Sequence, residues 1–238
     1  RRTRMNAGSI DPRIARGMQA QLALRARRIA AGEKPLGWKV GFGAPAAMQK
    51  LAIDAPLVGF LLHSARVPSG TSIPVGNWAK PVAEAEIAVH MGADLPGRAE
   101  RDAAIAAIAG VGPAIEIADL EFPPDEVEKI LAADIYQRHV ILGPLDASRA
   151  GCRLDGLTCC VSQCGSEIAR TTDPQALTGE LTGIVRHVAD VLAAFDECLH
   201  AGDVIITGSI TPPLWVENGD QILFMLDPVG SVSAAFTA

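Results

Sequence analysis

Val82-Ala83-Glu84-Ala85-Glu86-Ile87-Ala88-Val89-His90 reads as a β-strand with one acidic face. Side chains alternate along a strand, so Glu84 and Glu86 share a face while Ala83, Ala85, Ile87 and Val89 take the other. At about 3.3 Å per residue the two glutamate Cα atoms stand about 6.6 Å apart. Two carboxylates at that spacing can converge on one ion. For the pair alone, an amphipathic strand with a wet acidic face is the simpler reading. His90 shares the face of the glutamates but stands four residues beyond Glu86, and reads as a strand-end residue.

Residues 111–119 form a second, more apolar strand, in which Gly112-Pro-Ala-Ile-Glu116-Ile-Ala118 places a glutamate between Ala114 and Ala118. A charge in such a setting is seldom buried without a partner. Either a buried salt bridge or a metal satisfies Glu116. Taken with Glu84 and Glu86, the all-carboxylate set favours a hard cation, Mg²⁺ or Mn²⁺. Zinc is disfavoured, because no histidine or cysteine stands at a matching position in these strands.

In Gly37-Trp38-Lys39-Val40-Gly41-Phe42, the apolar face is Trp38, Val40 and Phe42, and Lys39 lies opposite with two glycines as same-face neighbours. Glycines beside a strand side chain often mark close approach of a ligand to the backbone. Lys39 there either holds a substrate carboxylate or exchanges a proton at a lowered pKa. An exposed lysine beside two bulge glycines is the plain alternative. Three carboxylates around a divalent ion leave one excess negative charge, which would repel an anionic substrate. Lys39 is the best candidate for the compensating cation.

Around these segments the pattern is mixed. Asp11-Pro12 opens a helix whose apolar positions Ile14, Met18, Leu22, Ala26 and Ile29 recur at helical spacing until Gly32. Strands are expected near 36–42, 82–90, 111–119 and 138–142, and short helices near 99–109 and 123–133. A hairpin over 157–170 turns near Gly165. A long helix runs from Asp173 to His200, with an interruption near 179–183. The tail is β: a strand over 203–210, a strand pair turning at Asn218-Gly219-Asp220, and a last strand over 230–236. No repeat or glycine-rich phosphate loop appears. The expected class is α+β, a mixed β-rich core in one domain over 1–238, with a helical segment over about 1–33 packed on it.

The 238 residues are 49% hydrophobic, yet no apolar run approaches the length of a bilayer crossing. The opening Arg1-Arg-Thr-Arg-Met5 is basic but has no apolar stretch behind it, unlike a secretory signal, and Met5 is a candidate start. A net charge of −6 with 4% aromatics disfavours nucleic-acid binding. Five cysteines without zinc spacing read as reduced, buried thiols of a cytoplasmic protein.

The motifs Gly37-Trp-Lys-Val-Gly41, Glu84-Ala-Glu86, Pro113-Ala-Ile-Glu-Ile-Ala-Asp119 and Ala201-Gly-Asp-Val-Ile-Ile-Thr-Gly-Ser-Ile-Thr-Pro212 together resemble the fumarylacetoacetate hydrolase superfamily. The similarity is to its branch of 2-oxopent-4-enoate hydratases and 4-oxalocrotonate decarboxylases. It extends from about Leu22 to the C-terminus, and the order of four motifs carries it. The resemblance implies a mixed β-sheet roll like the fumarylacetoacetase C-terminal domain, with peripheral helices. It also implies Mg²⁺ or Mn²⁺ on Glu84, Glu86 and Glu116, a catalytic Lys39, a small 2-oxo acid as substrate and a homo-oligomer. Ser209 and Thr211 match the segment lining the site, as donors to a substrate carboxylate or as turn hydroxyls.

The chain departs from that pattern twice. Gly59-Phe-Leu-Leu-His63-Ser64 places a serine where relatives carry an aspartate, which makes His63 a candidate replacement acid/base. Ala133-Asp134-Ile135-Tyr136-Gln137-Arg138-His139 keeps Asp134, a candidate catalytic residue like Lys39 and His63, but follows it with bulkier, more basic residues. The implied activity is hydration of a 2-oxo-4-enoate, with Lys39, His63 or water moving the proton. The alternatives are a decarboxylase of the 4-oxalocrotonate type, an acylpyruvate hydrolase, or an inactive member serving as a binding or assembly subunit.

Overall fold

The computed structural model describes residues 10–238; the basic opening and Met5 lie outside the described residues. In chain order the elements are α1 (Pro12–Ala30), β1 (Pro35–Gly41), α2 (Pro45–Leu51), β2 (Leu57–Leu62), β3 (Thr71–Pro74), β4 (Pro81–Met91), α3 (Arg101–Ala107), β5 (Ile108–Asp119), α4 (Val127–Ala132), β6 (Gln137–Leu142), β7 (Thr158–Gln163), β8 (Ser166–Thr171), α5 (Leu181–Ala193), β9 (Val204–Ser209), β10 (Leu214–Trp215), β11 (Gln221–Asp227) and β12 (Gly230–Thr237). They form two mixed sheets with helices at the periphery, the α+β roll expected from the sequence. The 7-stranded sheet runs β2-β1-β9-β4-β5-β6 with β10 beside β4; the 5-stranded sheet runs β3-β12-β11-β7-β8. No helix of the described residues is long and apolar enough to cross a membrane.

The larger sheet curls. After β2 the chain returns to β6, where the Val67 N–H donates to the Val140 carbonyl at 3.0 Å. One face of this sheet thereby becomes a narrow interior. Leu36, Leu61, Ala88, Ala114, Val140, Val204 and Ile206 pack there as a small cluster, and Lys39, Glu86 and Glu116 are buried on the same face. The opposite face carries Trp38, Val40, Ala83, Ala85, Ile87, Val89, Ile115 and Ile117 into the main core. Strand alternation thus sorts charge to one side and bulk to the other, as the period of two requires.

Local signals explain most boundaries. Asp11 caps α1 by accepting the Arg13 N–H at 2.8 Å, with Pro12 in the first turn, and Gly32 follows at φ 101°. Only part of the expected stripe is fully buried: Met18 is, together with Gly17 and Gln21, while Ile14, Leu22 and Ile29 are half-buried against the core. Gln21 Nε2 ties α1 down by donating to the carbonyls of Val58 (3.2 Å) and Leu131 (3.0 Å).

Three expectations are corrected. The long helix over 173–200 is confined to Leu181–Ala193: Gly179 takes φ 84° at the expected interruption, Asp173 before it closes a turn by accepting the Gln175 N–H at 3.1 Å, and the helix stops short of His200. The turn at Asn218-Gly219-Asp220 does not join a strand pair. It carries the chain from β10, paired with β4, into β11 of the other sheet, paired with β12 and β7. The cysteines are free, but Cys164 is exposed and Cys152 and Cys198 are half-buried, so burial holds only for Cys159 and Cys160. β2 escaped the sequence reading because Leu57–Leu62 is buried on both faces and shows no alternation.

The glycines flanking Lys39 have a structural cause other than a ligand. A Cβ on Gly37, at φ 152°, would lie 2.0 Å from the Val204 carbonyl oxygen, and one on Gly41 would lie 2.9 Å from the Ile135 side chain. Gly37 is what lets β1 pair in parallel with β9. Gly37→Ala is therefore expected to cost upwards of about 3 kcal/mol, through both conformational strain and lost pairing. Urea denaturation checks this; a variant as stable as the parent would contradict the close approach.

Candidate metal centre and active site

Antiparallel pairing of β4 with β5 sets Glu84 opposite Glu116 and Glu86 opposite Ala114. Alternation turns all three carboxylates into the interior of the roll, where one oxygen from each lies within 4.8 Å of the others. Glu86 Oε2 accepts the Gly208 N–H at 2.7 Å, whereas its Oε1 is buried without a hydrogen-bond partner. An orphaned carboxylate oxygen in a dry interior is costly unless something positive faces it.

The titration behaviour has the same cause. Burial first, and the charge of Glu116 second, push Glu84 up to about 7, with Lys39 opposing. Burial, then Glu116 and Glu84, hold Glu86 well above the usual carboxylate range, against the Gly208 N–H and Lys39. Glu84 and Glu86, whose ionisation is opposed by burial and by neighbouring carboxylates, are what a divalent ion relieves, and an all-oxygen donor set suits a hard one. The residues present fit such a cation.

Lys39 is fully buried and forms an ion pair with Glu116. Its Nζ also donates to the Ile135 carbonyl at 3.1 Å. Burial works against the lysine charge, but Glu116 and Asp134 outweigh it and raise the pKa above the ordinary lysine value. Both contacts favour the ammonium form of Lys39. Glu116 combines both of its alternatives, as ion-pair partner and as member of the carboxylate group. Lys39, the three carboxylates and a divalent ion balance formally.

Asp134 lies behind the lysine. Its Oδ1 accepts the Phe60 N–H at 2.8 Å. Burial pushes its carboxyl up to about 8, with Lys39 and that N–H opposing. Asp134, Ile135 and Tyr136 take φ of 52°, 52° and 63°, a left-handed run of non-glycine residues that costs conformational energy and is held by its surroundings. The run aims the Ile135 carbonyl at Lys39 and the Tyr136 ring into the cavity. Gly59, a strand neighbour of Lys39, makes room for this: a Cβ there would lie 2.9 Å from both Asp134 Oδ1 and Lys39 Cγ.

A cavity of about 460 Å³ opens over this cluster and is lined by Lys39, Glu84, Glu116, Ser209 and Thr211 at its polar end. Ser209 Oγ has no hydrogen-bond partner and is free to donate. Thr211 Oγ1 is turned to the Pro212 carbonyl at 3.1 Å, a turn-type contact. The structure does not bring His63 to the site. It is exposed in a short turn after β2, its N–H bonded to the Lys34 carbonyl at 2.9 Å, and it does not line the cavity. Its expected part as proton carrier has no geometric support. Ser64 is also outside, bonded to Glu33. The Gly208 N–H and Gly59 escaped the residue-by-residue reading. Gly208 lies within the fourth motif, but a backbone donor leaves no side-chain signal.

Between the unfolded glutamate value of 4.5 and the folded value of about 7, the native state holds protons that the unfolded chain has released. Metal-free protein should therefore lose stability as pH rises from about 5 to about 8, and saturating Mg²⁺ should restore more at the upper end. Thermal unfolding across that window, with and without Mg²⁺, measures this. A metal-free Tm that climbs with pH would contradict the crowding of buried acids.

A family model described as fumarylacetoacetate (FAA) hydrolase C-terminal matches residues 38–237. The 4-oxalocrotonate decarboxylase of Pseudomonas putida is 31% identical over 220 residues, covering 91% of this chain and 83% of that protein. The 2-keto-4-pentenoate hydratase 1 of Dechloromonas aromatica (strain RCB) is 29% identical over 213 residues, covering 87% and 80%. Among solved structures, the 4-oxalocrotonate decarboxylase from Pseudomonas putida G7, complexed with magnesium and adipate, superposes with a TM-score of 0.84 at 29% identity, over 94% of this chain and 86% of that one. By the extent of that match, and with the four motifs gathered into one roll, this chain belongs to the fumarylacetoacetate hydrolase family.

Proposed function

We propose that this protein is a metal-dependent hydro-lyase that adds water to a 2-oxo-4-enoate such as 2-oxopent-4-enoate, with Mg²⁺ or Mn²⁺ held by Glu84, Glu86 and Glu116. The observation that carries the reading is the convergence of those carboxylates beside a buried ammonium, with Glu84, Glu116 and Lys39 lining one cavity. When bound there, a divalent cation supplies Lewis-acid polarisation of a 2-oxo acid. The protein's own groups bind and orient the acid. Lys39 Nζ, fixed as an ammonium, presents positive charge where negative charge develops on the substrate oxygen as the double bonds shift. Ser209 Oγ donates to the substrate carboxylate. The apolar walls keep bulk water from the reactive conjugated acid.

Relatives named as hydratases support the choice of hydration. Decarboxylation is the second reading, favoured by the superposition on the magnesium-bound decarboxylase. A panel of unsaturated 2-oxo acids with Mg²⁺ separates them by product mass: gain of water for hydration, loss of carbon dioxide for decarboxylation. EDTA should abolish turnover and Mg²⁺ or Mn²⁺ restore it. Lys39→Met should lower kcat by at least about 10²-fold, the loss typical of one preorganised donor. Unchanged kinetics in that variant, or turnover that survives EDTA, would overturn the reading.

A further inference from the structure

The cavity is polar at one end only. Of the residues that line it, the charged ones are Lys39, Glu84 and Glu116, all at the floor. Lys39 is the sole cation among the described lining residues, and it is already paired with Glu116. Away from the floor the wall is Phe42, Leu120, Tyr136, Leu177, Pro213 and Trp215. Of the two polar side-chain atoms on this wall, Tyr136 Oη donates to the Phe122 carbonyl at 3.1 Å, and Trp215 Nε1 is a neutral donor that carries no charge to pair with a carboxylate.

The apolar surface continues outward. Leu177 is 42% and Trp215 is 50% exposed, two of the few large hydrophobic side chains left in water among the described residues. Two lysines stand near this end, but neither lines the cavity, and each lies over an aromatic face: Lys80 Nζ is 4.1 Å from the Trp215 ring centroid and Lys129 Nζ is 4.4 Å from that of Phe122.

We infer that this site selects 2-oxo acids whose far end is an uncharged apolar tail, alkyl or aryl, and discriminates against those that end in a second carboxylate. The inference rests on the 2-oxo-acid reading and adds the chemistry of the tail. A carboxylate drawn along the Phe42, Tyr136 and Leu177 wall would lose hydration and meet no lining cation, whereas a methyl or methylene there leaves water for a matching surface. The adipate in the related decarboxylase structure is a dicarboxylate, so the tail is where this chain would differ from that protein.

A pair of saturated acids tests this without turnover: 2-oxohexanoate and 2-oxohexanedioate, alike except that the terminal methyl of one is a carboxylate in the other. Calorimetric titration of each into the Mg²⁺-loaded protein should give tighter binding of 2-oxohexanoate by at least about 10-fold, the lower end for one well-matched apolar group. Trp215→Arg, at a half-exposed position on the short strand β10, should narrow or invert that ratio by adding a guanidinium to the cavity lining. Equal or tighter binding of the dicarboxylate by the parent protein would overturn the tail inference and leave the 2-oxo-acid reading standing. Failure of both acids to bind would overturn that reading and this inference with it.

Discussion

Everything around the site depends on how three carboxylates are held in a dry interior. Glu86 and Glu116 are fully buried and Glu84 faces the cavity. Like charges at that proximity repel strongly once water is removed. The roll answers with one positive group it owns, Lys39, and one backbone donor, the Gly208 N–H. Neither suffices, as the raised pKa values of Glu84 and Glu86 and the orphaned Glu86 oxygen attest. The protein alone is electrostatically incomplete, and the proposed divalent cation would complete it.

That incompleteness requires a scaffold that does not yield. The run at Asp134, Ile135 and Tyr136 adopts unfavourable backbone angles, yet it is fixed from two sides. Asp134 is bonded to the β2 backbone, and the Ile135 carbonyl is bonded to Lys39. Gly59 supplies the space in which Lys39 and Asp134 pass each other, and Gly37 brings β9, with Gly208 and Ser209 at its end, against β1. Strain in the turn and small residues in the strands are two parts of one device that positions the ammonium beneath the acids.

The carboxylate geometry was legible because strand alternation is a strict rule: Glu84, Glu86 and Glu116 needed only a period of two and the right pairing of two strands. Lys39 was legible as a residue but not in its state, since the charges that raise its pKa come from β5 and from the turn at Asp134, far away in sequence. His63 misled for the opposite reason, because adjacency to a motif says nothing about which way a turn faces. Of helix 173–200 only Leu181–Ala193 forms, since the break at Gly179 leaves the segment before it too short to hold a helix by itself. At Asn218-Gly219 the sequence marks a turn but not which sheets it joins. The cavity wall was invisible, being assembled from Phe42, Leu120, Tyr136, Leu177 and Trp215 on separate segments.

The central claim is that Glu84, Glu86 and Glu116 form one cation site whose occupancy the fold anticipates. Electron paramagnetic resonance titration with Mn²⁺ of the parent protein and of Glu116→Gln tests it most directly, because free and bound Mn²⁺ are counted without reference to activity. The account predicts one tightly bound Mn²⁺ per parent chain and an affinity weakened by roughly 10²-fold or more in the variant, as loss of a group on which a metal site depends entails. Equal stoichiometry and affinity in a folded Glu116→Gln protein would contradict it.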